Sequence, residues 1–162
     1  MITRSLLVMS LALFAHSSFA VLPDEDKLKV AREHLLNKAS RNLVNTGGMC
    51  LDVSGDVNRA GTHVKTFNCN KAVNQKWKLK SGRLVNKAGK CLDVAGDVNR
   101  GGTIVQIWDC NNAPNQKWRL EKQRLVNGGG KCLDVSGDIK KSGNKVQIWD
   151  CNNAPNQKWS FR

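Results

Sequence analysis

The sequence predicts an all-β protein: a closed barrel of three four-stranded repeats, preceded by a short N-terminal helix. Three observations carry that prediction. The first is a repeat. Leu43-Val44-Asn45 returns at Leu84 and at Leu125, Cys50-Leu51-Asp52-Val53 returns at Cys91 and at Cys132, and Asn74-Gln75-Lys76-Trp77 returns at Asn115 and at Asn156. The shift is 41 residues each time. The second is the pattern inside a unit. Four short alternating segments are separated by turn residues, in the second unit at 83–85, 91–94, 104–108 and 117–120. The third is topological. A period near 40 also suits propeller blades or helical pairs. The alternation and the glycine density exclude helices, and three units are too few for a propeller, which has at least four blades. Closing the strands into a barrel removes exposed edges. The third unit ends just after Trp159, which suits a last strand pairing with the first.

The elements in order begin with residues 1–20, which read as a signal peptide. Arg4 precedes an apolar run from Leu6 to Ala15, and Ser18-Phe19-Ala20 offers a cleavage site. The run is shorter than the roughly 20 apolar residues of a membrane span, so a secreted or periplasmic protein with no membrane span is expected. Residues 21–42 read as a helical N-terminal segment or linker. Asp24, Glu25 and Asp26 would sit at the positive end of the helix dipole, and Leu28, Ala31, Leu35 and Ala39 form a stripe. The barrel domain is 43–162, with repeats 43–83, 84–124 and 125–162.

The formal charge is +13, from 26 basic and 13 acidic residues. Loss of Arg4 with the leader leaves +12. The cations are scattered, so they read as solubility and attraction to anionic surfaces, with no nucleic-acid motif. Six cysteines in an exported chain argue for disulfides over metal thiolates, and no CxxC pair is present. A pairing within each repeat and a cyclic one, such as Cys69 with Cys91, are equally symmetric.

Cys-Leu-Asp-Val, then Val-Gln-Ile-Trp-Asp-Cys, then Asn-Gln-Lys-Trp resembles the ricin-type lectin domains, whose Gln-x-Trp signature recurs here three times. The chain also resembles the trefoil modules attached to secreted glycoside hydrolases. The resemblance covers residues 43–162 and implies a β-trefoil with one potential sugar site per repeat. It favours the pairs Cys50–Cys69, Cys91–Cys110 and Cys132–Cys151. It implies that Trp77, Trp118 and Trp159 belong to the core, and that Gln75, Gln116 and Gln157 support the site from behind.

A sugar offers hydroxyls at its rim and C–H patches on its faces. A carboxylate accepts hydrogen bonds from hydroxyls, an amide both donates and accepts, and an aromatic ring covers a C–H face. The second repeat supplies Asp93, Gln106, Trp108 and Asn115, and the third Asp134, Gln147, Trp149 and Asn156. Gln106 and Trp108 alternate with Val105 and Ile107, so they share the face away from the core. The stretches 106–118 and 147–159 are identical, so these two sites should be alike. The alternative is that both tryptophans pack under the following loop. The first repeat keeps Asp52 and Asn74 but has Lys65 for Gln and Phe67 for Trp, so its site should be weaker or altered in preference.

Asp56, Asp97 and Asp138 read as turn residues. Asp56-x-Asn58 and Asp97-x-Asn99 faintly resemble the start of a calcium loop, but no Glu stands at its twelfth position. No metal and no cofactor are expected. An enzyme is not expected either: after the leader only His34 and His63 remain, neither recurs, and the repeated acids belong to separate sites. The function implied is that of a multivalent lectin for galactose- or N-acetylgalactosamine-type glycans. The alternatives are a xylan- or other polysaccharide-binding module, or the glycan-targeting subunit of a toxin or adhesin docked on a protein partner through the N-terminal helix.

Overall fold

The computed structural model describes Asp24, Glu25, Lys27, Leu28 and residues 39–162. Twelve strands follow in three sets of four. The first set is β1 (Arg41–Asn45), β2 (Met49–Val53), β3 (Val64–Asn68) and β4 (Lys76–Lys80). The second is β5 (Arg83–Asn86), β6 (Cys91–Val94), β7 (Val105–Trp108) and β8 (Trp118–Glu121). The third is β9 (Arg124–Asn127), β10 (Cys132–Val135), β11 (Val146–Trp149) and β12 (Trp159–Phe161). All pairings are antiparallel, in one eight-stranded and one four-stranded sheet.

The first and fourth strands of the repeats form the barrel. β4 pairs with β5, β8 with β9, and β1 with β4. β12 pairs with β1, with Leu43 opposite Phe161 and Asn45 opposite Trp159. The second and third strands form three hairpins over one end: β2 with β3, β6 with β7, β10 with β11. Single bridges join these hairpins in a ring, His63 to Gln106, Ile104 to Gln147, and Lys65 to Lys145. Every strand is short, so its apolar side alone buries little. The units instead pool one core, in which Leu51, Leu92, Leu133, Ile107 and Ile148 meet the three tryptophans. Trp77, Trp118 and Trp159 are at most 2% exposed, and each indole N–H donates to the carbonyl of Leu51, Leu92 or Leu133 at 2.9–3.0 Å. A buried indole therefore leaves no donor unmatched.

Two devices lock the repeats. The disulfides are Cys50–Cys69, Cys91–Cys110 and Cys132–Cys151, all within a repeat and each tying the second strand to the chain just after the third. Each contributes on the order of 3 kcal/mol by restricting the unfolded chain. The asparagine of each Leu-Val-Asn motif is buried and reaches into another repeat. Asn45, Asn86 and Asn127 donate to the carbonyls of Ile139, Val57 and Val98 at 2.9, 3.0 and 2.9 Å. Each also accepts the N–H four residues on, of Met49, Lys90 or Lys131.

The expected N-terminal helix is corrected. Among the described residues the first regular element is β1, and no α-helix is one of the elements. Glu25, Lys27 and Leu28 close a single turn, with the Leu28 N–H on the Asp24 carbonyl at 2.9 Å. Leu28, an apolar residue of the expected stripe, is left 47% exposed rather than buried by packing on the barrel. Isolated helices of this length are marginal in water without such packing. The docking role assigned to that helix loses its basis. The rest of that stretch, and the expected signal peptide, lie outside the described residues. No helix among the described residues is long and apolar enough to cross a membrane.

Candidate carbohydrate-binding site

Each repeat builds the same support behind one carboxylate. Asp52, Asp93 and Asp134 lie on β2, β6 and β10 and are buried, 3–7% exposed. After the third strand, a one-turn 3₁₀ segment (Val73–Gln75, Pro114–Gln116 or Pro155–Gln157) brings an Asn-Gln pair back to that carboxylate. Gln75, Gln116 and Gln157 are fully buried. Each amide donates to Oδ2 of its Asp at 2.8, 2.9 and 3.0 Å. It also donates to the carbonyl of Asn68, Asp109 or Asp150 at 2.9 Å. It accepts the N–H of Asn70, Asn111 or Asn152 at 2.8–2.9 Å. Both donors and the acceptor are thus used, which orients the carboxylate rigidly.

The opposite strand supplies the outer wall. Gln106 faces Asp93 and Gln147 faces Asp134 across the hairpins, and their amides donate to Oδ1 at 3.1 and 3.2 Å. Two residues on, Trp108 and Trp149 are 42% and 45% exposed. They do not lie under the following loop. Each ring leans on a turn of the preceding repeat, where the carbonyls of Ile107 and Ile148 accept the N–H of Gly61 and Gly102 at 2.8 Å. A Cβ at Gly61 or Gly102 would stand 3.4 Å from Cζ3 of Trp108 or Trp149. Both glycines have φ near +85°, which other residues rarely adopt. The outer faces of the rings remain open. An open cleft of about 460 Å³ is lined by Asp93, Gln106, Trp108, Asn111 and Asn115, which is within the range of small-ligand sites.

The structure thus brings together the four residues singled out in each later repeat, but their asparagines differ. Asn156 donates to Oδ2 of Asp134 at 2.7 Å and more weakly to the carbonyl of Val135 at 3.4 Å. Asn115, in an identical segment, donates instead to the carbonyls of Val94 and Gly96 at 2.8 and 2.9 Å. The first repeat differs more. Asn74 and Gln75 both donate to Oδ2 of Asp52 at 2.8 Å. Lys65 faces Asp52, but its Nζ lies over Phe67, 5.9 Å from the ring centroid. Phe67 is 39% exposed.

Burial pushes the Asp52 and Asp134 carboxyls above the ordinary aspartate value. Hydrogen bonds from Gln75 and Asn74 and the charge of Lys65 oppose this at Asp52, as bonds from Gln157 and Gln147 do at Asp134. Asp56, Asp97 and Asp138 accept the N–H two residues on, of Asn58, Asn99 and Lys140, at 2.8–2.9 Å. They are turn acids. No cluster of three metal-ligating side chains occurs among the described residues.

Sequence reasoning passed over two parts of this arrangement. The glycine turns that seat the tryptophans come from the neighbouring repeat, and their signal was the recurrence of Gly61, Gly102 and Gly143. Asp109 and Asp150, beside the tryptophans, form ion pairs with Lys90 and Lys131. The first repeat has Asn68 and Met49 at those positions.

Comparison with known proteins bears on the fold and the family. No curated protein matches the chain. Among solved structures, a designed threefold-symmetric protein, ThreeFoil, is 28% identical with a TM-score of 0.66, over 74% of this chain and 94% of that one. The hemolytic lectin CEL-III is 30% identical with a TM-score of 0.65, over 75% of this chain and 29% of that one. The exo-β-1,3-galactanase 1,3Gal43A from Clostridium thermocellum is 26% identical with a TM-score of 0.66, over 76% and 30%. The chain therefore spans under a third of the last two proteins. The family model of the ricin-type β-trefoil lectin domain matches residues 39–159. That model describes a sugar-binding domain and not a catalytic one. With three-quarters of its length under that match, the chain belongs to the ricin-type β-trefoil lectin domain family.

Proposed function

We propose that this protein is a secreted, non-enzymatic lectin that binds galactose- or N-acetylgalactosamine-type glycans at more than one site. The observation that carries the reading is the cluster in the second and third repeats: a buried carboxylate held by two amides beneath a tryptophan more than two-fifths exposed. Asp93 and Asp134 would accept hydroxyls, Gln106, Gln147, Asn115 and Asn156 would orient them, and Trp108 and Trp149 would cover the C–H face. Secretion is supported by the leader-like residues 1–20 and by six cysteines all engaged in bridges. Sites on one rigid barrel gain avidity of roughly 10²–10⁴ over a single site when a surface presents sugars at matching spacing.

The test is a glycan array with the wild type and the Trp108→Ala/Trp149→Ala variant. The wild type should retain galactose-type glycans and the variant should lose them. Undiminished binding by a folded double variant would sink the site assignment. The likeness to the Clostridium thermocellum galactanase favours a second reading, a polysaccharide-binding module. Pull-down on insoluble xylan or galactan, in place of galactose resin, would favour that reading.

A further inference from the structure

The first repeat is not merely a damaged copy of the other two. Its changes fall on the outer wall of the site. Where Gln106 and Gln147 donate to Oδ1 of their aspartates, Lys65 does not. Both hydrogen bonds to Asp52 fall on Oδ2, so its Oδ1 accepts none from the described residues. The Lys65 ammonium forms no hydrogen bond and no ion pair among the described residues and lies over the Phe67 ring. The exposed acid that follows Trp108 and Trp149 is here Asn68. A site otherwise built on one carboxylate has gained a cation beside its aromatic face, whose charge also acts on Asp52, and has exchanged the lysine–aspartate pair of the later repeats for the neutral Met49 and Asn68.

Those observations define a ligand. Asp52 can accept from a hydroxyl through its open oxygen, and Phe67 can cover a C–H face. Lys65 can only donate, and its charge is best matched by an anion. We infer that the first-repeat site selects a sugar bearing an anionic substituent, a carboxylate or a sulfate, with Lys65 as the anion-binding group. This rests on the sugar-binding reading of the repeats. A negative glycan then engages a chemistry distinct from the neutral sites on the same barrel. Attraction between the half-buried Lys65 and an anion at this open surface is screened by salt, so this binding weakens as ionic strength rises.

The experiment uses the Trp108→Ala/Trp149→Ala protein, in which only the first site keeps its aromatic. It is titrated with methyl galactoside, galactose 6-sulfate and galacturonic acid, and the last two separate sulfate from carboxylate. At least one anionic sugar should bind about tenfold tighter than the neutral one, a difference of about 1.4 kcal/mol. Adding Lys65→Gln should erase that preference. The intact protein gives an independent readout, since the anionic sugar should shift the amide resonances of Lys65 and Phe67. Equal or better binding of the neutral sugar, no binding at all, or a preference that survives Lys65→Gln overturns the inference. If the wild type binds none of the three sugars, the lectin reading fails with it. If the wild type binds the neutral sugar but the first site shows no anionic preference, only this inference falls.

Discussion

Asp52 and Asp134 stand at the same strand position in the first and third repeats, and each accepts on Oδ2 from a fully buried glutamine, Gln75 or Gln157. Behind them the repeats match: Trp77 and Trp159 are both buried, and each donates to a leucine carbonyl. In front of them the repeats part. Oδ1 of Asp134 meets the Gln147 amide beneath an exposed indole, whereas Oδ1 of Asp52 is left by Lys65, which turns to a phenyl ring. The core positions answer to a threefold packing problem and cannot drift singly without opening a void. The outer positions at Phe67, Trp108 and Trp149 are exposed and fill no part of the core, so one repeat can change its chemistry there without disturbing the barrel.

The largest effects should come from positions where the repeats agree. Trp77→Ala and Trp159→Ala should each cost about 3–5 kcal/mol of stability by emptying a well-packed core. Chemical denaturation of the two variants checks this. A loss confined to one of them would break the equivalence of the repeats. A smaller effect should come from making the outer positions agree. Lys65→Gln with Phe67→Trp converts the first site to the pattern of the third, and should raise its affinity for a neutral galactoside about tenfold. It should leave stability within about 1 kcal/mol, as for most surface changes. Titration and thermal melting of this variant read both.

The smallest effect is on pH. Burial raises the Asp52 and Asp134 carboxyls above 3.8, so protonation begins at a higher pH than for a free aspartate. A protonated carboxyl loses the charge that strengthens its bonds to hydroxyls, so sugar binding at the third site should fall on acidification from above pH 3.8. Folding should respond in the opposite sense. A pKa raised in the folded state means that the folded chain holds the proton more tightly. The stability from these two groups therefore grows as pH falls through the folded pKa and is lost as pH rises through it. Lys65→Gln removes an opposing charge and should move the Asp52 onset to higher pH. Sugar titrations and melts across pH, with Asp134→Asn as the reference, separate the two responses.

Much of this was legible in the chain. Repetition of Asp, Gln and Trp at one period located the strands closely. In the second unit the structure has 83–86, 91–94, 105–108 and 118–121. Alternation around Val105 and Ile107 placed Trp108 outward, because successive strand residues must point to opposite faces. The N-terminal helix misled because a polar start and an apolar stripe describe a helix that has something to pack on. Leu28, on that stripe, is instead left 47% exposed.

Recurrence by itself determined the three units, the residues that gather around Asp93 and Asp134, and the divergence of the first repeat. Those are properties of spacing and residue type, which short-range sterics convert directly into strands and faces. Only the tertiary structure decided which neighbour each polar group chose. Asn115 and Asn156 lie in identical segments, yet Asn115 takes only backbone carbonyls while Asn156 takes the Asp134 carboxylate at 2.7 Å and keeps the Val135 carbonyl at 3.4 Å. The turn beneath each tryptophan, and the acceptor of each buried Leu-Val-Asn asparagine, come from another repeat. Such choices depend on which groups lie within about 3 Å once the barrel has closed, and no local pattern encodes that distance.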